Sequence, residues 1–120
     1  MNEQDDYILG AFKEDGQIVG MVGFKRGQGM KFKHKGMIWG VYVAPDYRGK
    51  GIAKELLQEV LRRGKDIEGL KQINLSVVTA NKVAVGLYKI LGFETYGTEK
   101  NALEYHGRGY DEEYMTYYLR

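Results

Sequence analysis

Cysteine is absent from the 120 residues, which excludes a disulfide framework, a thiolate metal site and any thiol nucleophile. Proline occurs once, at Pro45. No apolar run approaches the roughly 20 residues of a membrane-spanning helix. The N-terminus, Met1-Asn2-Glu3-Gln4-Asp5-Asp6, is polar and acidic, the opposite of a secretory leader, so a cytoplasmic location is expected. Charge of one sign is lacking as well. Eighteen Lys and Arg against 16 Asp and Glu leave a formal charge of +2, too little by itself to imply a nucleic-acid partner. The length suits one compact domain, residues 1–120, built around one hydrophobic core.

What is present is a clear alternation of patterns. Tyr7 to Lys13 and Ile18 to Lys25 read as strands, with Asp15-Gly16 between them as a hairpin signal. A glycine-rich, basic connection from Arg26 to Gly36 holds Lys31, Lys33, His34 and Lys35 and is read as a solvated loop. Met37 to Ala44 is apolar on both sides and is expected to lie centrally in a sheet covered on both faces. Ile52, Leu56, Leu57, Val60 and Leu61 then form a helical stripe that Gly64 is expected to end in a left-handed conformation.

Lys71 to Val78 reads as a fourth strand. Asn81 can cap a second helix bearing Ala84, Leu87, Tyr88 and Leu91, stopped at Gly92 with Phe93 folding back. Two further strands, near Glu94 to Tyr105 and Tyr110 to Leu119, flank a His106-Gly107-Arg108-Gly109 turn. The fold class expected is α/β (α+β). It has a mixed, mostly antiparallel central sheet, helices on both faces and the order β-β-β-α-β-α-β-β. A right-handed crossover through the first helix makes the two central strands parallel.

The most informative segment is Tyr47-Arg48-Gly49-Lys50-Gly51-Ile52-Ala53, set between the central strand and the first helix. Such a turn aims several backbone N–H groups at one point, with the positive end of the helix dipole behind them. Gly49 and Gly51 allow close backbone approach, and Arg48 and Lys50 add positive charge: a diphosphate cradle. It is not a Walker A loop, because Lys50 is followed by Gly51 and the first glycine is missing. Nor is it a dinucleotide fingerprint, which needs a small residue where Lys54 stands.

These residues resemble the GNAT superfamily of N-acetyltransferases. The likeness begins at Val41-Tyr42-Val43-Ala44-Pro45. It continues through Arg48-Gly49-Lys50-Gly51-Ile52-Ala53, which fits the family's R/Q-x-x-G-x-G/A element. It resumes at Asn81, Tyr88 and Leu91-Gly92-Phe93. The resemblance implies that acetyl-CoA is the donor, that no metal is needed and that the acceptor is a small-molecule or peptide amine attacking directly. It places the pyrophosphate on Arg48, Gly49, Lys50, Gly51, Ile52 and Ala53. It sets the pantetheine arm along Val41, Tyr42 and Val43, with Asn81 touching that arm or serving only as a helix cap. Tyr88 would protonate the departing thiolate; by spacing alone it simply continues its helix's apolar stripe.

Two departures accompany the resemblance. Many relatives carry a glutamate base on the central strand, whereas Met37 to Ala44 holds no carboxylate. Glu104, His106, Asp111, Glu112, Glu113 and His34 are candidates to activate an amine through water, none assigned. Relatives also begin with a strand and two helices that wall the amine pocket, which Met1 to Asp6 cannot supply. A truncated chain, a partner chain and an open acceptor site all remain as explanations. The first strand is then an exposed edge, and a homodimer is one expectation. The alternative function is a non-catalytic acyl-CoA-binding module. A nucleic-acid-binding domain using Phe24, Phe32 and Trp39 ranks lower, because its strand order does not fit.

Overall fold

Alternating apolar segments become strands and striped segments become helices in the computed structural model, which describes residues 3–119. The strands are β1 (Asp6–Phe12), β2 (Ile18–Arg26), β3 (Lys35–Val43), β4 (Gln72–Val78), β5 (Glu94–Tyr105) and β6 (Arg108–Tyr118). The helices are α1 (Ile52–Lys65) and α2 (Lys82–Leu91), in the expected order among the strands. One open sheet runs β1-β2-β3-β4-β6-β5. Its neighbours are antiparallel except β3 and β4, the parallel pair that α1 connects. The expected mixed, mostly antiparallel sheet is met. No helix among the described residues is long and apolar enough to cross a membrane.

Turn chemistry explains most of the boundaries. Gly16 takes φ +90° and closes the first hairpin, its N–H donating to Lys13 O. His106 and Gly107 both have positive φ, as a two-residue type I′ turn requires, and close the last hairpin. Gly92 ends α2 at φ +110°, and Phe93 returns its N–H to Tyr88 O and its ring to the Tyr88 edge at 5.9 Å. Gly64 behaves otherwise: α1 continues through it to Lys65. It is a packing glycine, since a Cβ there would lie 2.8 Å from Ile73 Cδ1, and its bareness lets α1 settle on β4. The basic loop is solvated as expected, with Lys31 and Lys33 exposed, though anchored at its base. Arg26 ties it down by donating to Lys33 O and Glu68 O and pairing with Asp5 at 3.5 Å.

Both helices feed one core. Leu57, Val60 and Leu61 of α1 and Val85 and Tyr88 of α2 cluster with Val22, Phe24, Ile38, Ile73, Leu75 and Met115 of the sheet. Strand register puts those sheet residues on a single face (Phe24↔Ile38, Gly36↔Ile73, Leu75↔Met115). The expectation of helices on both faces therefore needs correction: among the described residues the opposite face carries no helix. Met37 and Trp39 sit there, 47% and 42% exposed. The second apolar row of β3 is accounted for partly by the sheet itself, because the Trp39 indole lies over Gly23, in the space where a Cβ would be.

At the far end of α1, Tyr7 stacks on Phe24 and lies under the Arg63 guanidinium, 4.9 Å from the ring centroid. Its hydroxyl is buried without a hydrogen-bond partner. Burial pushes the phenol up to about 12 from an ordinary value of 10. The folded state thus holds this proton more tightly than the unfolded chain. The associated stability is complete below pH 10 and is lost as pH rises from 10 through about 12. Tyr7→Phe removes the unpaired oxygen and keeps the ring. It is expected to raise stability by about 1 kcal/mol near neutrality and to flatten the decline above pH 10. Urea midpoints of both chains at pH 7 and pH 11 test this.

Candidate active site

The two parallel strands touch only briefly. Lys35↔Gln72, Gly36↔Ile73 and Met37↔Asn74 are their pairs; beyond these, β3 keeps to β2 and β4 keeps to β6. The strands therefore separate toward their C-terminal ends. Gly40 helps to part them. It has φ +64°, and opposite Val22 the register of β3 gains a residue, a bulge formed by Gly40 and Val41. The signal was a glycine inside a strand pattern, which sequence reading passed over.

Facing along β3 decides which peptide groups reach the gap. Ala44 N–H donates to Val19 O at 2.8 Å, so Ala44 faces β2. Peptide groups alternate sides along a strand, which turns Val43 and Val41 toward the gap and Tyr42 toward β2. Tyr42 offers the site only its half-exposed side chain.

At the mouth of the gap the chain turns through Pro45–Tyr47 to Arg48, Gly49, Lys50 and Gly51. Gly49 and Gly51 stand at φ +78° and +83°. Gly51 is the N-cap of α1 and has no side chain with which to close it. The N–H groups of the first turn, at Ile52 and Ala53, thus point outward at the positive end of the dipole. A Cβ at either glycine would meet nothing within 4 Å, so the cradle has open space before it. The Arg48 guanidinium donates to Val43 O at 3.0 Å and binds the turn to the end of β3. Lys50 lies 5.2 Å from the Tyr47 ring centroid. Ile52 seats the turn on bare Gly20, where a Cβ would come within 2.8 Å of it.

Across the gap, β4 leads to α2. Asn81 caps that helix, its Oδ1 accepting from Ala84 N–H at 3.1 Å, which leaves the Nδ2 end to reach a ligand. Tyr88, further along, is 6% exposed, and burial raises its phenol above the ordinary range. It is therefore protonated at neutral pH, the form a proton donor needs.

The acid and base candidates are scattered. Glu104 and His106 are on the last hairpin, where the His106 ring meets Tyr105 edge-on at 4.1 Å. Asp111 accepts from Asn101 N–H, and Glu113 accepts from the Thr95 hydroxyl. Glu112 pairs in register with Val78, the last residue of β4, and with Glu99. Tyr114 donates to Glu99, a contact nothing in the sequence pattern announced. On the same face Gln72 Nε2 donates to Asn74 Oδ1 and Thr116 Oγ1, a polar cluster at the point where the central strands part.

Residues 1–93 match the Acetyltransferase (GNAT) family. Over 75 residues the chain is 35% identical to the L-methionine sulfoximine/L-methionine sulfone acetyltransferase of Pseudomonas paraeruginosa, a stretch covering 62% of this chain and 43% of that one. The chain thus spans less than half the length of the curated relative it matches. The crystal structure of the acetyltransferase of GNAT family from Streptococcus pneumoniae is similar with a TM-score of 0.89 and 26% identity, over 96% of this chain and 68% of that one. A GNAT superfamily phosphinothricin acetyltransferase from Sinorhizobium meliloti, solved in complex with AcCoA, is similar with a TM-score of 0.84 and 28% identity, over 95% and 61%.

Two glycines separate backbone need from helix propensity. Gly51→Ala forces a Cβ into a left-handed residue and should cost about 1–2 kcal/mol. Gly86→Ala, within α2 and with nothing within 4 Å of the new Cβ, should instead stabilise by about 0.5–1 kcal/mol. Denaturant midpoints of the two variants check this opposition of sign.

Proposed function

The chain belongs to the GNAT acetyltransferase family, and from that premise we propose that it moves the acetyl group of acetyl-CoA onto a primary amine by direct attack. The observation that carries this reading is the wedge between β3 and β4, with the glycine turn at its mouth. Its shape suits a long, narrow molecule with a diphosphate at one end. N–H groups from Gly49 to Ala53 would hold the diphosphate, with Arg48 and Lys50 as the local positive charge. Backbone at Val41 and Val43 would hold the arm, and Asn81 Nδ2 would reach it from the other wall.

Bound there, acetyl-CoA supplies a thioester carbonyl. A lysine-like amine with pKa of about 10.4 is nucleophilic in only about one molecule per thousand at neutral pH, so a proton must first pass to solvent. The amine nitrogen then bonds to the carbonyl carbon and the carbon–sulfur bond breaks. A backbone N–H of Val41 or Val43 would stabilise charge on the carbonyl oxygen. Tyr88 would give its phenolic proton to the sulfur, while the proton shed by the bonded nitrogen passes through water and restores the phenol. The absence of cysteine agrees with transfer that involves no acyl-enzyme. The acceptor belongs to the class of small or peptide amines, and the hairpin beyond β4 flanks the mouth from which it would approach.

Thermal unfolding with acetyl-CoA, CoA and ATP is the first test. At a hundred times its dissociation constant a ligand adds about 2.7 kcal/mol of stability. A rise with acetyl-CoA and CoA and little with ATP supports the donor site; no rise in a folded chain removes it. Thiol release in the presence of an amine panel then separates an enzyme from a binding module, which would bind CoA and release none. In the enzyme, Tyr88→Phe is expected to lower kcat by about 10²–10⁴-fold while acetyl-CoA affinity stays nearly constant. Unchanged turnover would remove Tyr88 from the chemistry.

A further inference from the structure

Strand β6 outruns β4. Val78, the end of β4, pairs with Glu112, so the β5–β6 hairpin beyond that pair continues past the sheet. It leaves at the end where β3 and β4 stand apart, on the side of the mouth opposite the glycine turn. A lone two-stranded ribbon is only marginally stable in water, so its direction depends on how it is rooted. Between the pairs Glu99↔Glu112 and Leu103↔Tyr110, β5 spends three residues where β6 spends one. The middle of the three, Asn101, is left-handed at φ +52°.

Two contacts hold Asn101 there. Its N–H donates to Asp111 Oδ1 at 2.8 Å. Its side-chain amide lies over Gly109, where a Cβ would collide with Asn101 Oδ1. Asp111 also works in the other direction, its carbonyl accepting Thr79 N–H at 2.9 Å in the turn that leads from β4 to Asn81. One residue thus joins the bulge that aims the hairpin to the turn that carries α2. Leu103 and Tyr105 give the hairpin exposed apolar surface.

We propose that Asp111 is a positioning residue whose carboxylate locks the Asn101 bulge, sets the pitch of the hairpin at the mouth and so governs how tightly the acceptor amine is held. The acceptor part rests on the acetyl-transfer reading; the lock itself does not.

Asp111→Ala, Asp111→Asn and Gly109→Ala are compared with the parent chain in two ways. Hydrogen exchange at the Asn101 amide needs no ligand. Asp111→Ala should speed it by about tenfold or more, whereas Asp111→Asn retains an acceptor oxygen and should leave it slow. Steady-state kinetics use acetyl-CoA and whichever amine of the panel turns over best. The KM for the amine should rise about three- to tenfold in Asp111→Ala and Gly109→Ala. The KM for acetyl-CoA and kcat should stay within about twofold, and Asp111→Asn should restore the amine KM. An unchanged Asn101 exchange rate in Asp111→Ala overturns the lock. Faster exchange with both KM values moved together, or with neither moved, overturns the role in acceptor binding. A parent chain that turns over no amine overturns that role together with the acetyl-transfer reading, while the exchange arm fails only if the lock itself is wrong.

Discussion

Between β3 and β4 the sheet is joined by three residue pairs, and past Met37↔Asn74 each strand is held by its outer neighbour alone. A gap of this kind would ordinarily close, because unpaired peptide groups seek partners. Here α1 packs beside it, against β1, β2 and β3 and, at its end, on the paired part of β4. The first turn of α1 rests on Gly20 of β2 and its last on Ile73 of β4, each contact made close by a glycine. The same helix starts at the mouth of the gap, so the element that backs β2 and β3 also presents the uncapped N–H groups.

The core sets the chemistry of the other wall. Tyr88 lies in the same cluster as Leu57, Leu75 and Phe93, and that apolar surrounding keeps its phenol protonated. Asn81, at the start of the same helix, divides its amide between closing the helix and facing outward. Both helices cover one side of the sheet, and its other side combines exposed Trp39 and Met37 with the Gln72–Asn74–Thr116 cluster, in which Asn74 and Thr116 are buried. Apolar and hydrogen-bonding side chains thus meet where the strands part.

Element identities were legible because they depend on local periodicity and on turn residues. Asp15-Gly16, Gly92-Phe93 and the stripe from Ile52 to Leu61 each signal one structure wherever they occur. Gly64 shows the limit of that reasoning. Near a helix end with arginines before it, a glycine reads as a stop, and only contact with Ile73, nine residues on and in another element, makes it a packing site. Gly40 and Asn101 escaped notice for a similar reason. A bulge is a mismatch between two strands, and one strand's pattern cannot reveal it.

By itself the sequence determined the order of elements, the parallel central pair and the glycine turn at the start of the first helix, since these rest on spacing, capping and backbone freedom within short segments. The tertiary structure alone decided where β3 and β4 part, which peptide groups turn into the gap, that both helices share one face and that Asp111 meets Asn101. Those features depend on distances between residues far apart in the chain, which packing and register settle and composition does not.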